Sequence, residues 1–301
     1  MATTIRIRAI SQMMFLLLSS AALSAAQGTP SPCANCPTWN TPQPPFRIYG
    51  NTYYVGPHGL SSILITSESG HVLIDGALPE SASQLAANIR TLGFRVEDVK
   101  LIVNSHVHFD HAGGIAELQR LSGARVLASP WSAAVMRRGS VGPGDPQFGA
   151  QIPIARIARV KTLRDGQTFR IGDIALTAHF TPGHTPGGTS WTWQSCEGSR
   201  CLNLVYADSL APVAAEGFKF TQSRDYPSAL SDFQQSFSFL SAVPCDILLT
   251  PHPDASDFWD RVEQRNQGIV PDPIIDSSRC RRLADEFREQ LRERVLAETG
   301  H

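Results

Sequence analysis

The chain has 301 residues, a formal charge of −1 at neutral pH, 42% hydrophobic residues and 18% charged ones. A near-neutral balance with no basic run argues against a nucleic-acid or anionic-membrane partner. The length suffices for one large domain or two small ones.

Residues 1–26 read as a secretory signal peptide. Arg6 and Arg8 make a positive start, residues 13–23 are apolar, and Ser24-Ala25-Ala26 offers a small-residue cleavage site. The apolar run is too short to span a membrane and no cysteine follows it closely, so no membrane anchor is expected. The predicted location is the periplasm. Residues 27–45, rich in Pro, Thr and Asn, read as an irregular N-terminal arm, and residues 46–301 as a single domain.

That domain opens with hairpins. Residues 47–49 and 52–55 flank the turn pair Gly50-Asn51, and residues 62–66 and 71–74 flank Ser69-Gly70. The period then changes. Leu85, Ile89 and Leu92 recur at helical spacing after Pro79, which suits a helix start. A buried strand is predicted over residues 101–104, with a helix marked by Ile115, Leu118 and Leu121 shortly afterwards. Residues 138–151 are rich in Gly, Pro and polar residues, and Asp145-Pro146-Gln147-Phe148-Gly149 within them reads as a mobile wall of a site. Strands resume at 168–171, 174–180, 202–206 and 247–249, with helix-like text over 227–240. Leu283, Phe287, Leu291 and Val295 predict an amphipathic helix over 278–297. This alternation suits an α/β architecture of two packed sheets with helices on the outer faces.

Six cysteines in an exported chain suggest disulfides. Cys196 and Cys201 could staple a hairpin tip, and a bridge from Cys245 to Cys280 would tie the last helix to the core. Cys33-Ala34-Asn35-Cys36 has redox-motif spacing but no surrounding βαβ pattern, so a local bridge or loose arm is the expectation.

Between the strand at 101–104 and the next helix lies His106-Val107-His108-Phe109-Asp110-His111, closed by Gly113-Gly114. Three imidazoles and a carboxylate in six positions are the ligand types of catalytic zinc sites. His184 and His252 also follow apolar strand runs. His71 at a strand start and His179 inside a strand read as structural, His58 is undecided and His301 is the tail. Five histidines with Asp110 suit two zinc ions with three protein ligands each, leaving positions for water and substrate. The implied chemistry is hydrolysis of an acyl or phosphoryl bond. No Gly-x-Ser-x-Gly elbow offers a serine nucleophile.

The order His-x-His-x-Asp-His, Pro182-Gly183-His184-Thr185, Ala207-Asp208-Ser209 and Pro251-His252-Pro253 resembles the metallo-β-lactamase superfamily, and within it subclass B3 of the class B β-lactamases. The resemblance implies an αββα sandwich and zinc-dependent hydrolysis of β-lactam antibiotics, carbapenems included, by a metal-bound hydroxide. It assigns His106, His108 and His184 to one zinc and Asp110, His111 and His252 to the other, with Asp110 also catalytic. It also implies the pairs Cys196/Cys201 and Cys245/Cys280. Ser209, Gln147 and Thr189 are the expected substrate-binding residues. Asp208 aligns with a metal-bridging carboxylate of glyoxalase II and many lactonases, but in the lactamase subclass a supporting role is expected. Where related lactamases often carry a hydroxyl residue two positions after Ser209, this chain has Ala211, so Ser209 or a water would have to anchor the substrate. An exported lactonase or thioesterase of the same superfamily is the alternative. A non-catalytic zinc protein would not need ligands from separate loops with open metal positions. No heptad seam or apolar stripe is readable, and a monomer is expected.

Overall fold

The computed structural model describes residues 1–2, 33–157 and 159–300. The expected signal peptide therefore lies almost wholly outside the described residues. The sheets and helices all belong to one compact unit, Asn35–His301.

Strands β1 (Phe46–Tyr49), β2 (Thr52–Tyr54), β3 (Ile63–Ile65), β4 (His71–Ile74), β5 (Val99–Val103), β6 (Arg125–Ala128) and β7 (Val160–Thr162) form one sheet in sequence order. Its first four strands pair antiparallel, and β4 to β7 pair parallel. Parallel pairing requires crossovers, and the chain supplies them as helices. Ala82–Thr91 links β4 to β5, Ile115–Ser122 links β5 to β6, and Pro130–Arg138 lies between β6 and β7. The second sheet has the order β12-β11-β10-β9-β8, from β8 (Thr168–Ile171), β9 (Ile174–Phe180), β10 (Thr189–Glu197), β11 (Arg200–Tyr206) and β12 (Ile247–Leu249).

Alternation along the strands decides the layering. Ile63, Ile65, Val72, Ile74, Leu101 and Val103 of the first sheet share a core with Leu176, Trp191, Leu204, Tyr206, Ile247 and Leu249 of the second. The intervening residues Val205 and Leu248 point outward to Phe233, Phe237, Leu283 and Phe287 of the helices Ala229–Ala242 and Arg279–Thr299. On the far side, Ile115–Ser122 packs on β5 and Pro130–Arg138 on β6. The architecture is the expected αββα sandwich. No helix among the described residues is long and apolar enough to cross a membrane.

Cys196–Cys201 closes the β10–β11 hairpin, where the two residues face each other in register. Cys245–Cys280 ties the approach to β12 to the last helix. No cysteine among the described residues is free.

The expected irregular arm, residues 27–45, needs a correction at its end. Cys36–Trp39 is a helical turn, and the chain beyond it is pinned to the fold. His58 N–H donates to Thr41 O at 2.8 Å, Gly59 N–H to Trp39 O at 3.1 Å, and Asn88 Nδ2 to Gln43 O at 3.1 Å. Backbone carbonyls paired with donors in this way belong to the packed structure, which therefore begins before Phe46.

Candidate metal centre

The loop after β5 is fixed before it reaches its first histidine. Asp75, at the end of β4, is fully buried and accepts Ser105 N–H and Ser105 Oγ–H at 2.7 Å each, and Tyr206 O–H at 2.7 Å. Trp191 Nε1 donates to Asn104 O at 3.1 Å and Thr189 N–H to Ser105 O at 2.8 Å, so the second sheet holds the same loop. Phe109–Ala112 is a single helical turn that carries Asp110 and His111. A Cβ on Gly114 would meet Gly76 O at 2.3 Å, which is why the chain needs glycine where it leaves the cluster.

Two groups of three donors result. His106, His108 and His184 converge, as do Asp110, His111 and His252, with the donor atoms of each group within 4.8 Å of one another. Asp110 Oδ2 lies 3.3 Å from both His111 Nε2 and His252 Nε2. The groups adjoin: the ring centroids of His106 and His111 are 4.4 Å apart. The family resemblance implied the same six residues in the same two sets.

Three of the imidazoles have one nitrogen held by an oxygen. His106 Nδ1 is 2.7 Å from Asp208 Oδ1, His108 Nε2 is 3.1 Å from both oxygens of Asp145, and His184 Nδ1 donates to Ala211 O at 2.7 Å. This is how metal-binding histidines are oriented, with the remaining nitrogen of His106 and His108 left for the ion and that of His184 facing the Gln147 amide. His106 Nε2 is buried without any hydrogen-bond partner, an arrangement costly for a polar atom that has nothing to bind. Donor chemistry, spacing and that orphaned nitrogen fit divalent metal ions.

The electrostatics agree. Burial, reinforced by the neighbouring imidazoles of His111, His108 and His184, holds His106 well below the usual histidine range. Burial also brings His184 down to about 3, with His108 adding to the effect. Burial pushes the Asp110 carboxyl up, but His111 and His252 outweigh it and keep it well below the ordinary value. Neutral imidazoles and an ionised carboxylate are the forms that bind metal. Asp208 is driven the opposite way, by burial and by the nearby Asp75.

The other sequence-derived candidates divide. Ser209 and Gln147 are half-buried, and Gln147 Nε2 is 3.3 Å from His184 Nε2. Thr189 corrects the expectation. It is 1% exposed, and its hydroxyl donates to Gly187 O at 3.1 Å. It is the first residue of β10 and ties the two sheets together, so it is not carried forward as a substrate contact. His71 and His179 pack against Phe94 and Phe239, away from the centre. Asp145 went unrecognised as a partner of His108 because its loop shows no periodicity. Trp39 was likewise missed; its ring centroid is 5.2 Å from that of His252.

Residues 55–197 match the family model of the metallo-beta-lactamase superfamily. Among solved structures, the Rm3 metallo-beta-lactamase is 54% identical with a TM-score of 0.87, covering 89% of this chain and 99% of that one. MEM-A1, a subclass B3 metallo-beta-lactamase isolated from a soil metagenome library, is 49% identical with a TM-score of 0.85, covering 87% and 99%. A hydroxyacylglutathione hydrolase of Anaeromyxobacter dehalogenans (strain 2CP-C) is 29% identical over 148 residues, 49% of this chain and 45% of that protein. The chain spans about half the length of the curated relatives it matches. Strand-end ligands in an αββα sandwich, together with these matches, place the chain in the metallo-β-lactamase superfamily of metal-dependent hydrolases. Within that superfamily its structural neighbours are metallo-beta-lactamases, MEM-A1 among them being of subclass B3.

Proposed function

We propose that the protein is an exported, zinc-dependent β-lactamase that opens the lactam amide of β-lactam antibiotics, carbapenems included. Residues 1–26 direct it to the periplasm, and it works there as a monomer on a small-molecule substrate. The observation that carries the choice among superfamily activities is the position of Asp208. Its Oδ1 meets His106 Nδ1, on the side of that ring away from the orphaned Nε2, and Asp208 belongs to neither donor group. This suits the supporting role of the lactamase subclass better than the bridging role of thioesterases and lactonases. The 54% identity to Rm3 over almost all of that chain supports the same reading.

His106, His108 and His184 would hold one zinc ion, and Asp110, His111 and His252 a second. When bound, zinc lowers the pKa of coordinated water from about 15.7 toward 7 and polarises a carbonyl. Asp110, ionised, would orient the attacking water and take its proton. It then returns that proton to the lactam nitrogen as the amide breaks. Ser209 and Gln147, half-buried at the wall, bind the substrate.

The test is parallel hydrolysis of imipenem, an acyl homoserine lactone and a glutathione thioester, with and without chelator. Imipenem cleavage that chelator blocks and zinc restores is the expected result, and Asp110→Ala should abolish it. The second reading, thioester hydrolysis, has the hydroxyacylglutathione hydrolase match in its favour. Chelator-sensitive turnover of the thioester or lactone without imipenem cleavage would replace the lactamase reading.

A further inference from the structure

The wall of the centre is tied to one of its ligands through a single carboxylate. Asp145 is fully buried in the segment 139–151. Both of its oxygens lie 3.1 Å from His108 Nε2, and Oδ1 also accepts the Gln147 N–H at 2.8 Å. The segment is closed on itself, with Asp145 N–H donating to Gly142 O at 2.8 Å and Phe148 N–H to Asp145 O at 2.9 Å. Gln151 Nε2 donates to Gln147 Oε1 at 3.0 Å, which points the Gln147 amide toward His184. A second loop joins it. Ala215 N–H donates to Pro146 O at 2.9 Å, and four residues earlier Ala211 O accepts His184 Nδ1–H.

We propose that Asp145 is a positioning residue that couples the conformation of segment 142–151 to metal binding by His106, His108 and His184. An imidazole can rotate about its Cβ–Cγ bond and carry its proton on either nitrogen. A buried carboxylate on Nε2 fixes both, leaving the Nδ1 lone pair for the ion. The same carboxylate organises the turn that presents Gln147. Through Asp145, ordering of the turn favours the bound ion and the bound ion favours the ordered turn to the same extent, while the Gln147 amide beside His184 Nε2 would turn aside for the ion. His111 and His252 have no contact with this segment among the described hydrogen bonds, so the coupling is specific to one triad. The inference rests on the reading that this triad holds a metal ion.

The experiment is a zinc titration by chelator competition on the wild type, Asp145→Ala and Asp145→Asn, with His108→Ala marking which binding event belongs to this triad. Hydrogen exchange of residues 142–151 is measured with and without zinc. Asp145→Ala should weaken the marked event about 10- to 100-fold and leave the other in place. Asp145→Asn keeps an oxygen that can accept His108 Nε2–H, and should fall between. Zinc should slow exchange in the wild-type segment and not in Asp145→Ala. Two intact binding events in both variants, or a wild-type segment whose exchange ignores zinc, would overturn this inference alone. A wild type that takes up no zinc would overturn the metal reading together with it.

Discussion

Asp208 Oδ1 and His106 Nδ1 are 2.7 Å apart, with both side chains wholly shielded from solvent. The pair has no slack, because a Cβ on Gly188 would lie 2.4 Å from Asp208 Oδ2 and 2.4 Å from Thr181 O. Gly188→Ala should therefore displace Asp208 and loosen His106. Zinc titration should show about a 10- to 100-fold loss at one site, with an overpacking cost of about 1–3 kcal/mol in a thermal melt. Unchanged zinc affinity would show that Asp208 is dispensable to His106.

In the proposed reading Ser209, or a water, meets the substrate carboxylate, because Ala211 stands where the family resemblance leads one to expect a further hydroxyl. Ser209→Ala should raise KM by about 10- to 100-fold, the scale of one hydrogen bond to a charged group, with kcat little changed. Steady-state kinetics on imipenem provides the measurement. A fall in kcat at constant KM would point to a role in the transition state instead.

Asp276 precedes the last helix and accepts Ser278 N–H at 3.0 Å, Ser278 Oγ–H at 2.6 Å and Arg282 Nη2–H at 2.5 Å. Partial burial pushes its carboxyl up, but these donors outweigh that and hold it at about 2. A depressed folded-state pKa stabilises the fold above the unfolded value and is lost as pH falls through the folded one. Asp276→Asn should thus cost up to about 1 kcal/mol at pH 7, after allowance for solvent screening. The gap between variant and wild type should close between about pH 4 and pH 2. Denaturant melts across that range would show it; a gap independent of pH would assign the effect to shape alone.

The two bridges should differ in worth. Cys245–Cys280 spans a sequence separation of 35 and Cys196–Cys201 one of 5. Chain entropy gives about 4 kcal/mol for the longer loop and about 2 kcal/mol for the shorter. Melts of Cys245→Ala/Cys280→Ala and Cys196→Ala/Cys201→Ala should rank in that order. The reverse ranking would mean that strain or residual unfolded structure decides.

What was legible in the chain depended on how local the signal was. His106 to His111 stood out because four donors sit within six residues after an apolar strand, and His184 and His252 because each follows a strand of its own. Most strands and the long amphipathic helix could be read from periodicity. The region from Arg125 to Thr162 was harder to read. Its strands are four and three residues long, too short to show a period. The helix Pro130–Arg138 had its signals in Ser129, which accepts Ser132 N–H, and in left-handed Gly139. Asp145 was invisible as a partner because its meaning arises only when the chain folds back onto His108, 37 positions away. Thr189 was misplaced for the opposite reason. It comes after a glycine pair like a site residue, yet it starts a strand.

Each triad draws donors from both halves of the sandwich, because His106, His108, Asp110 and His111 come after β5 of one sheet while His184 and His252 come after β9 and β12 of the other. An ion in either triad is then a clasp across the inter-sheet seam. Binding that exists only in the folded state stabilises it by about 2.7 kcal/mol when free ligand is a hundred times Kd. With metal bound as proposed, the supply of metal around the protein would add to its endurance against heat and proteolysis. Two chains with equal turnover and different metal affinity would differ in how long they survive.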